Sequence, residues 1–203
     1  VQALAATEAR AAAAISALTV ELELPVQAAE QIAARENFGI EYTPRMRRMD
    51  AEGLMQACPA VERVGWLDAE LRPVHTWERG GEVAAGAFDH LGNPRRKQAA
   101  ERALATGLPE VLGPADGAKE RPVFIVYKSF RRGAVVGAIA VQIGAQAWTE
   151  RALARLPASG TAAMAVSLGQ VPLCGGPTTE PTFFDREYSI QGQPVRLTLT
   201  APR

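Results

Sequence analysis

Side chains that commonly carry catalysis or bind metals are scarce, because the 203 residues include only two histidines and two cysteines. His75 and His90 stand near no GxSxG turn and no Cys–His signature, so the pattern does not favour nucleophilic hydrolysis. Cys58 and Cys174 lack metal-ligand and CxxC spacing; we expect two separate thiols and leave a disulfide between them open. We therefore predict no metal site, no cofactor and no enzyme activity.

Net charge is also absent, because 22 basic residues balance 22 acidic ones. Binding to nucleic acid or to an anionic membrane surface needs a basic field, and no run of like charge supplies one locally. The segments GGEVAAG and GLPEVLG contain glycines but match neither the phosphate-loop nor the dinucleotide-binding pattern. Nucleic acid is therefore excluded as a predicted partner, and binding of another kind becomes the expected function.

Long apolar runs are missing as well. No stretch reaches the ~20 apolar residues that a membrane-spanning helix needs, and no signal peptide is visible. The sequence nevertheless begins at Val1 inside a helical pattern and stops at Arg203 just after a strand-like run. We expect it to be a segment of a longer protein, and the flanking residues decide whether membrane helices adjoin it.

Strong helix formers dominate residues 1–35 and predict a long amphipathic helix. Its apolar face carries Leu4, Ala11, Ile15, Leu18 and Leu22. Pro25 removes a backbone donor, so we expect a kink or break between Leu24 and Val26. The apolar stripe either covers a sheet of the same chain, which we favour, or pairs with a second copy.

The central stretch, residues 91–143, predicts a helix followed by a hairpin. Asn93, Pro94 and Gly107 are suitable cap residues for a helix over about 94–106. The segments PVFIVYKSF and AVVGAIAVQI then read as two strands around the turn RRG. Other elements are predicted as a short helix over 50–57, a hairpin over 61–78, a mobile glycine-rich connection over 79–92, a helix over 145–156 and four strands over 161–201.

A helix laid across this sheet is expected to enclose a ligand. We predict six ligand-binding side chains: Trp66, Trp77, Arg96, Phe124, Tyr127 and Lys128. The small residues Gly137, Ala138 and Ala140 are expected to face the large aromatics and to leave room between the strands. The alternative is an ordinary core in which the aromatic rings pack, and strand parity cannot place Tyr127 and Lys128 on one face.

The order of these features resembles that of CHASE-type extracytoplasmic sensor domains. The resemblance is carried by MQACPAVERVGWLDAELRPVHTW, by NPRRKQAAERALATGLPEVLGP, by the strand pair from Pro122 to Ile143 and by FFDREYSIQGQPVRLTLTAP. Within these segments, Pro59 precedes a strand with Trp66 and Asp68, and a Pro-Arg-Arg helix begins at Pro94 and ends in Ala-x-x-x-Gly at Gly107. The likeness covers residues 50–203.

The resemblance implies an α+β fold with a long N-terminal helix followed by two PAS-like antiparallel-sheet units. The expected division is residues 1–49 as the kinked helix and connector, 50–143 as the membrane-distal unit, and 144–203 as a linking helix and the membrane-proximal unit. The family places such a segment between two membrane helices of a receptor whose output is a histidine kinase or a cyclic-di-GMP enzyme.

The expected function is therefore a periplasmic sensor domain of an inner-membrane receptor. It would bind an unidentified small molecule in the distal unit and form a homodimer through the N-terminal helix. The alternatives are a protein-binding or dimerisation module without a small ligand and, below that, an enzyme with a nonstandard site.

Overall fold

The computed structural model describes residues 2–38, 42–84, 88–115, 121–156, 163–175 and 182–200. The helices are α1 (Gln2–Asn37), α2 (Pro44–Ala57), α3 (Pro94–Thr106) and α4 (Ala145–Ala154). The strands are β1 (Val61–Leu67), β2 (Pro73–Glu78), β3 (Gly81–Glu82), β4 (Glu110–Leu112), β5 (Val123–Arg132), β6 (Val135–Gly144), β7 (Ala163–Leu168), β8 (Val171–Cys174), β9 (Thr182–Ile190) and β10 (Gln193–Thr200). The predicted α+β class is confirmed.

The strands form two antiparallel sheets. A six-stranded sheet has the order β3-β2-β1-β6-β5-β4, and a four-stranded sheet has the order β8-β7-β10-β9. The chain divides into two compact units, one of residues 1–22, 113–123 and 144–203 and the other of residues 23–112 and 124–143. Each sheet is thus the centre of one unit.

Helix α1 is continuous through Pro25, so the predicted break is not found. Its first half buries Ala11, Ala14, Leu18 and Leu22, at the spacing of one helical face. In the same unit, Trp148 of α4 donates its indole N–H to the carbonyl of Leu18 at 3.1 Å. Among the helices of the described ranges, none is both long enough and apolar enough to cross a bilayer.

Caps fix the limits of the next two helices. Helix α2 begins at Pro44, six residues before the predicted start, because the Thr43 hydroxyl accepts a hydrogen bond from the Met46 N–H. Helix α3 agrees with its prediction. Asn93 caps the N–H groups of Arg95 and Arg96, and Gly107 ends the helix in the left-handed region at φ 72°.

The two faces of the six-stranded sheet differ in side-chain size. Residues directly opposite each other on paired strands point to the same side. Gly65 pairs with Thr76 on β2 and with Ala140 on β6, so the small-residue face consists of Gly65, Leu67, Thr76, Ala138 and Ala140. Val64 pairs with Trp77, and Trp66 with Ile139, so the aromatic face consists of Val64, Trp66, Trp77 and Ile139.

The two cysteines lie in different units and form no disulfide with each other. Cys58 follows α2 and is buried, and Cys174 ends β8 with a half-buried thiol. The thiol alternative of the sequence prediction is confirmed.

Candidate functional site

Phe88 and His90 cover the small-residue face of the six-stranded sheet. A Cβ atom added to Gly65 would lie 3.0 Å from Cδ1 of Phe88 and 3.5 Å from Oγ1 of Thr76. The Phe88 and His90 rings are in contact, with centroids 4.2 Å apart and their planes tilted by 54°, and both residues are fully buried. The sequence predicted a mobile connection over residues 79–92, and this part of it is instead packed into the core.

His90 is hydrogen-bonded to Tyr127. The Nδ1 atom of His90 and the hydroxyl oxygen of Tyr127 are 2.8 Å apart, and the bond is buried. Because His90 packs on Phe88, Tyr127 points to the small-residue face as well. Alternate residues of a strand point to opposite sides, so Phe124 and Lys128 of β5 point to the aromatic face.

Both members of this pair are uncharged near neutral pH. Burial lowers the pKa of His90 to about 3, and the nearby Arg96 guanidinium lowers it further while Asp89 opposes the change. Burial raises the pKa of the Tyr127 hydroxyl well above its usual value, with a small opposing effect of Arg96. A neutral imidazole presents one nitrogen as donor and the other as acceptor.

Two polar atoms of this region have no hydrogen-bond partner among the described residues. They are Nε2 of His90 and Oγ1 of Thr76, and both residues are 0% exposed. Leaving a buried donor or acceptor unpaired costs about 1–3 kcal/mol per group. Such atoms call for a specific explanation in a folded protein, and a bound ligand that supplies the missing hydrogen bonds is one.

The start of α3 forms the rim of this site. Oδ1 of Asp89 accepts hydrogen bonds from the N–H groups of Leu91 and Gly92, each at 2.9 Å. Arg96 donates from its guanidinium to the carbonyl of Asp89 at 3.2 Å. With Asn93 bonded to the N–H groups of Arg95 and Arg96, the N-terminus of α3 is occupied by its own chain.

The structure brings together two of the six predicted ligand-binding residues, Tyr127 and Arg96, beside His90. Trp66 and Trp77 lie on the aromatic face, where their rings meet edge to face at 5.2 Å. Phe124 is fully buried. Lys128 donates from its ammonium to the carbonyl of Gly107, just after α3.

The predicted row of small residues is divided between the faces. Ala138 and Ala140 lie on the small-residue face, whereas a Cβ at Gly137 would lie 2.6 Å from Cζ of Phe130. The space at Gly137 is therefore filled by a ring. Sequence reasoning missed Thr76, Phe88 and His90 as site residues; Gly65, an unusual residue inside a strand, was the signal that another group approaches closely.

Two open clefts lie elsewhere in the described chain. One, of about 450 Å³, is lined by Asn37, the end of α3 and the segment from Lys128 to Arg131. The other, of about 540 Å³, lies between the first half of α1 and β9 and is lined by Ile15, Phe184 and Tyr188. Within the described ranges, no three His, Cys, Asp or Glu side chains gather closely enough to hold a metal ion.

The fold is similar to that of several solved extracellular domains. No protein-family model matches the sequence, and comparison with curated proteins finds no relative. Among solved structures, one similar fold is that of the extracellular domain of soHK1S-Z6, a protein named as a histidine kinase. The TM-score is 0.62 and the identity 10%, and the match covers 94% of this chain and 90% of that one.

Two chemoreceptor domains are similar as well. The ligand-binding domain of the Pseudomonas aeruginosa amino acid chemoreceptor PctC, in complex with GABA, has a TM-score of 0.58 and 14% identity over 96% of this chain and 97% of that one. The sensory domain of the Campylobacter jejuni chemoreceptor Tlp3, with isoleucine bound, has a TM-score of 0.57 and 10% identity over 98% of this chain and 93% of that one. At these identities the likeness establishes a shared sensor-domain fold.

Proposed function

We propose that the chain is the extracytoplasmic ligand-sensing domain of a membrane signalling receptor. The observation that carries the proposal is a pair of buried polar atoms, His90 Nε2 and Thr76 Oγ1, which have no partner in the described ranges and belong to residues on the small-residue face of the six-stranded sheet. A small molecule bound there would complete their hydrogen bonds. Solved domains of the same fold were crystallised with GABA and with isoleucine, which supports small-molecule binding as the use of this fold.

Tyr127 and Arg96 belong to the proposed site, together with His90 and Thr76. The other predicted residues take supporting roles: Trp66, Trp77 and Phe124 hold the sheet from its aromatic face, and Lys128 ties β5 to the end of α3. No step of this function requires catalysis, a cofactor or a metal.

The arrangement in the parent receptor follows from the resemblance to CHASE-type domains. Residues 50–143 would be the membrane-distal unit and residues 144–203 the membrane-proximal one, in the periplasm and anchored in the inner membrane. The output would be a histidine kinase or an enzyme that makes or degrades cyclic di-GMP. A ligand shifts the equilibrium between two conformations only by its difference in affinity for them, and α1 would carry that shift toward the membrane.

Thermal-shift screening of the 203-residue chain against metabolites tests the function, followed by calorimetry of the hits. Tyr127→Ala is expected to weaken binding by at least about tenfold when affinities are compared at equal folded fraction, since it removes the ring and the hydroxyl that hold His90. Tyr188→Ala, in the other unit, is the matched control and should bind normally. Unchanged affinity of the Tyr127 variant would place the site elsewhere.

A further inference from the structure

We infer that the unit built on the four-stranded sheet has a binding site of its own for an amphipathic carboxylate, a molecule with an apolar body and one carboxylate group. The site is the cleft of about 540 Å³ between the first half of α1 and β9. The inference goes beyond the proposed function, because this cleft and the His90 region belong to different units of the chain.

Strand β9 turns part of its core face toward this cleft. It is the edge strand of its sheet, and Phe184, Arg186 and Tyr188 line the cleft from it. Residues directly opposite each other on paired strands point to the same side, and the partners of these three are residues of β10 that are at most 1% exposed, Leu199, Leu197 and Val195. A charged side chain, Arg186, therefore points to the apolar side of the sheet at its open edge.

The walls of the cleft fit an apolar body. On α1, Ala12 and Ser16 are small and exposed, and Ile15 beside them is half-buried. On β9, Phe184 is buried and Tyr188 is half-buried, so two aromatic rings contribute to the other wall. The volume lies within the range of about 300–1,000 Å³ that is usual for small-molecule sites. An aliphatic or aromatic body in this space would remove apolar surface from water.

The carboxylate of the ligand would bind Arg186. The Arg186 guanidinium lies over the Phe184 ring, 5.3 Å from its centroid, and Nη2 is 3.5 Å from Oε1 of Glu8. The side chains of this ion pair are 60% and 51% exposed, and such exposed pairs contribute little to stability. The chain's own carboxylate thus occupies the position that a ligand's carboxylate would take, and its displacement costs little.

The charges of the cleft favour an anionic head group over the other kinds. Arg186 and Glu8 are the charged residues of the lining, and a guanidinium binds a carboxylate through two parallel hydrogen bonds. An ammonium group would meet the guanidinium as a like charge, and an uncharged group would not replace Glu8. Glu8 is therefore expected to compete with the ligand for Arg186.

Three probes with the same chain and different head groups test this inference: octanoate, octylammonium and 1-octanol, each below its micelle concentration. The 203-residue chain is labelled with ¹³C at its isoleucine methyl groups. The signal of Ile15 is followed during titration, and that of Ile139 in the six-stranded sheet is the internal reference. Octanoate should shift the Ile15 signal at concentrations at least about fivefold lower than the other two probes.

Two variants of the ion pair should change the affinity for octanoate in opposite directions. Arg186→Gln should lower it by about tenfold, because the charged partner is lost. Glu8→Gln should raise it by about threefold, because the competing carboxylate is lost. Arg196→Gln is the matched control, since Arg196 pairs with Asp185 on the other face of the same sheet and its loss should leave binding unchanged.

Four results would each overturn the inference. They are no shift of Ile15 with octanoate, equal or tighter binding of octylammonium or 1-octanol, full affinity in the Arg186 variant, and unchanged or weaker binding in the Glu8 variant. The last of these would indicate that Glu8 binds a positive group of the ligand.

The same variants keep this site apart from the one under the proposed function. Tyr127→Ala should leave the affinity for octanoate unchanged, and Arg186→Gln should leave unchanged the affinity for a ligand on the small-residue face. Amphipathic carboxylates found in the metabolite screen are assigned to one site or the other by these two variants. Failure of octanoate to bind would thus overturn this inference and leave the proposed function standing.

Discussion

At the scale of the residue, His90 is the most informative side chain. Among the described residues, His90 is hydrogen-bonded only through Nδ1, and a fully buried histidine in this position gives up part of its hydration without full compensation. The Tyr127 hydroxyl recovers one hydrogen bond, and the Nε2 atom remains for a ligand. The residue therefore connects the stability of the domain to its proposed binding function, and both effects can be measured.

The depressed pKa of His90 predicts a loss of stability in mild acid. The unfolded chain takes up a proton as the pH falls through 6.5, whereas folded His90 does so only near its pKa of about 3. The stability that comes from this difference in pKa is fully present above pH 6.5 and is lost progressively as the pH falls toward 3. The loss reaches about 2 kcal/mol at about pH 5.

Urea denaturation at about pH 7 and about pH 5 measures this effect. The free energy of unfolding of the wild type should fall by about 2 kcal/mol more than that of His90→Gln, since the variant has no imidazole at this position. Equal pH dependence of the two proteins would show that His90 is protonated in the folded state as readily as in the unfolded one.

Thr76 allows stability and function to be separated. Thr76→Val removes a buried hydroxyl that has no partner in the described part of the chain, so the free energy of unfolding should stay the same or rise by about 1 kcal/mol. Thr200→Val should change the free energy of unfolding in the same way, because Thr200 also has a buried hydroxyl. Only the Thr76 variant should lose ligand affinity. Marked destabilisation by Thr76→Val alone would mean that the hydroxyl already has a structural partner, such as an ordered water.

At the scale of the element, local sequence determines much of the fold. Helix α3 follows from its cap residues, and the hairpins follow from β-branched and aromatic runs separated by short turns. The early start of α2 depends on Thr43 and Pro44, a cap signal in the sequence that the predicted helix over 50–57 leaves out.

The faces of the six-stranded sheet could not be predicted in the same way. Alternation within β1 and β2 says nothing about the register between them, and a bulge after Trp66 shifts that register by one residue. As a result Trp77, rather than Thr76, shares the face of Trp66. The partner of Tyr127 is His90, 37 residues away in the chain, and no local pattern indicates this tertiary contact.

Two glycines in helical segments should respond to alanine with opposite signs. Gly53 lies in the interior of α2, and a Cβ there meets no atom within 4 Å, so Gly53→Ala should stabilise the chain by about 0.5–1 kcal/mol. Gly107 ends α3 at φ 72° in equally open space, so Gly107→Ala should destabilise it by about 1 kcal/mol through backbone strain alone. Thermal denaturation of both variants measures the difference, and shifts of the same sign would contradict the assigned backbone conformations.

At the scale of the whole molecule, sensing requires that an event in one unit reach the ends of the chain. Helix α1 contributes its residues up to Leu22 to one unit and the remainder, from Glu23, to the other. A single helix shared in this way is a direct covalent and hydrogen-bonded connection, and in a dimer two such helices would change their relative position. We therefore expect self-association to depend on α1.

Val20 and Leu24, four residues apart on α1, are 41% and 38% exposed and are the positions at which to test this dimer. In sedimentation experiments, Val20→Lys with Leu24→Lys should weaken any dimerisation through this face by at least about tenfold, because the contact would then bury unpaired charges. Gln98→Lys, at an exposed position of α3, is the control and should leave the sedimentation behaviour unchanged. A strict monomer at high concentration would contradict the expectation.

The central claim is that this chain binds a small molecule on the small-residue face of its six-stranded sheet. A crystal structure of the 203-residue chain with a hit from the metabolite screen tests it most directly. The account predicts the ligand beside Phe88, within hydrogen-bond distance of both His90 Nε2 and Thr76 Oγ1. A ligand bound instead in the cleft between α1 and β9, or in the cleft at the end of α3, would contradict this claim.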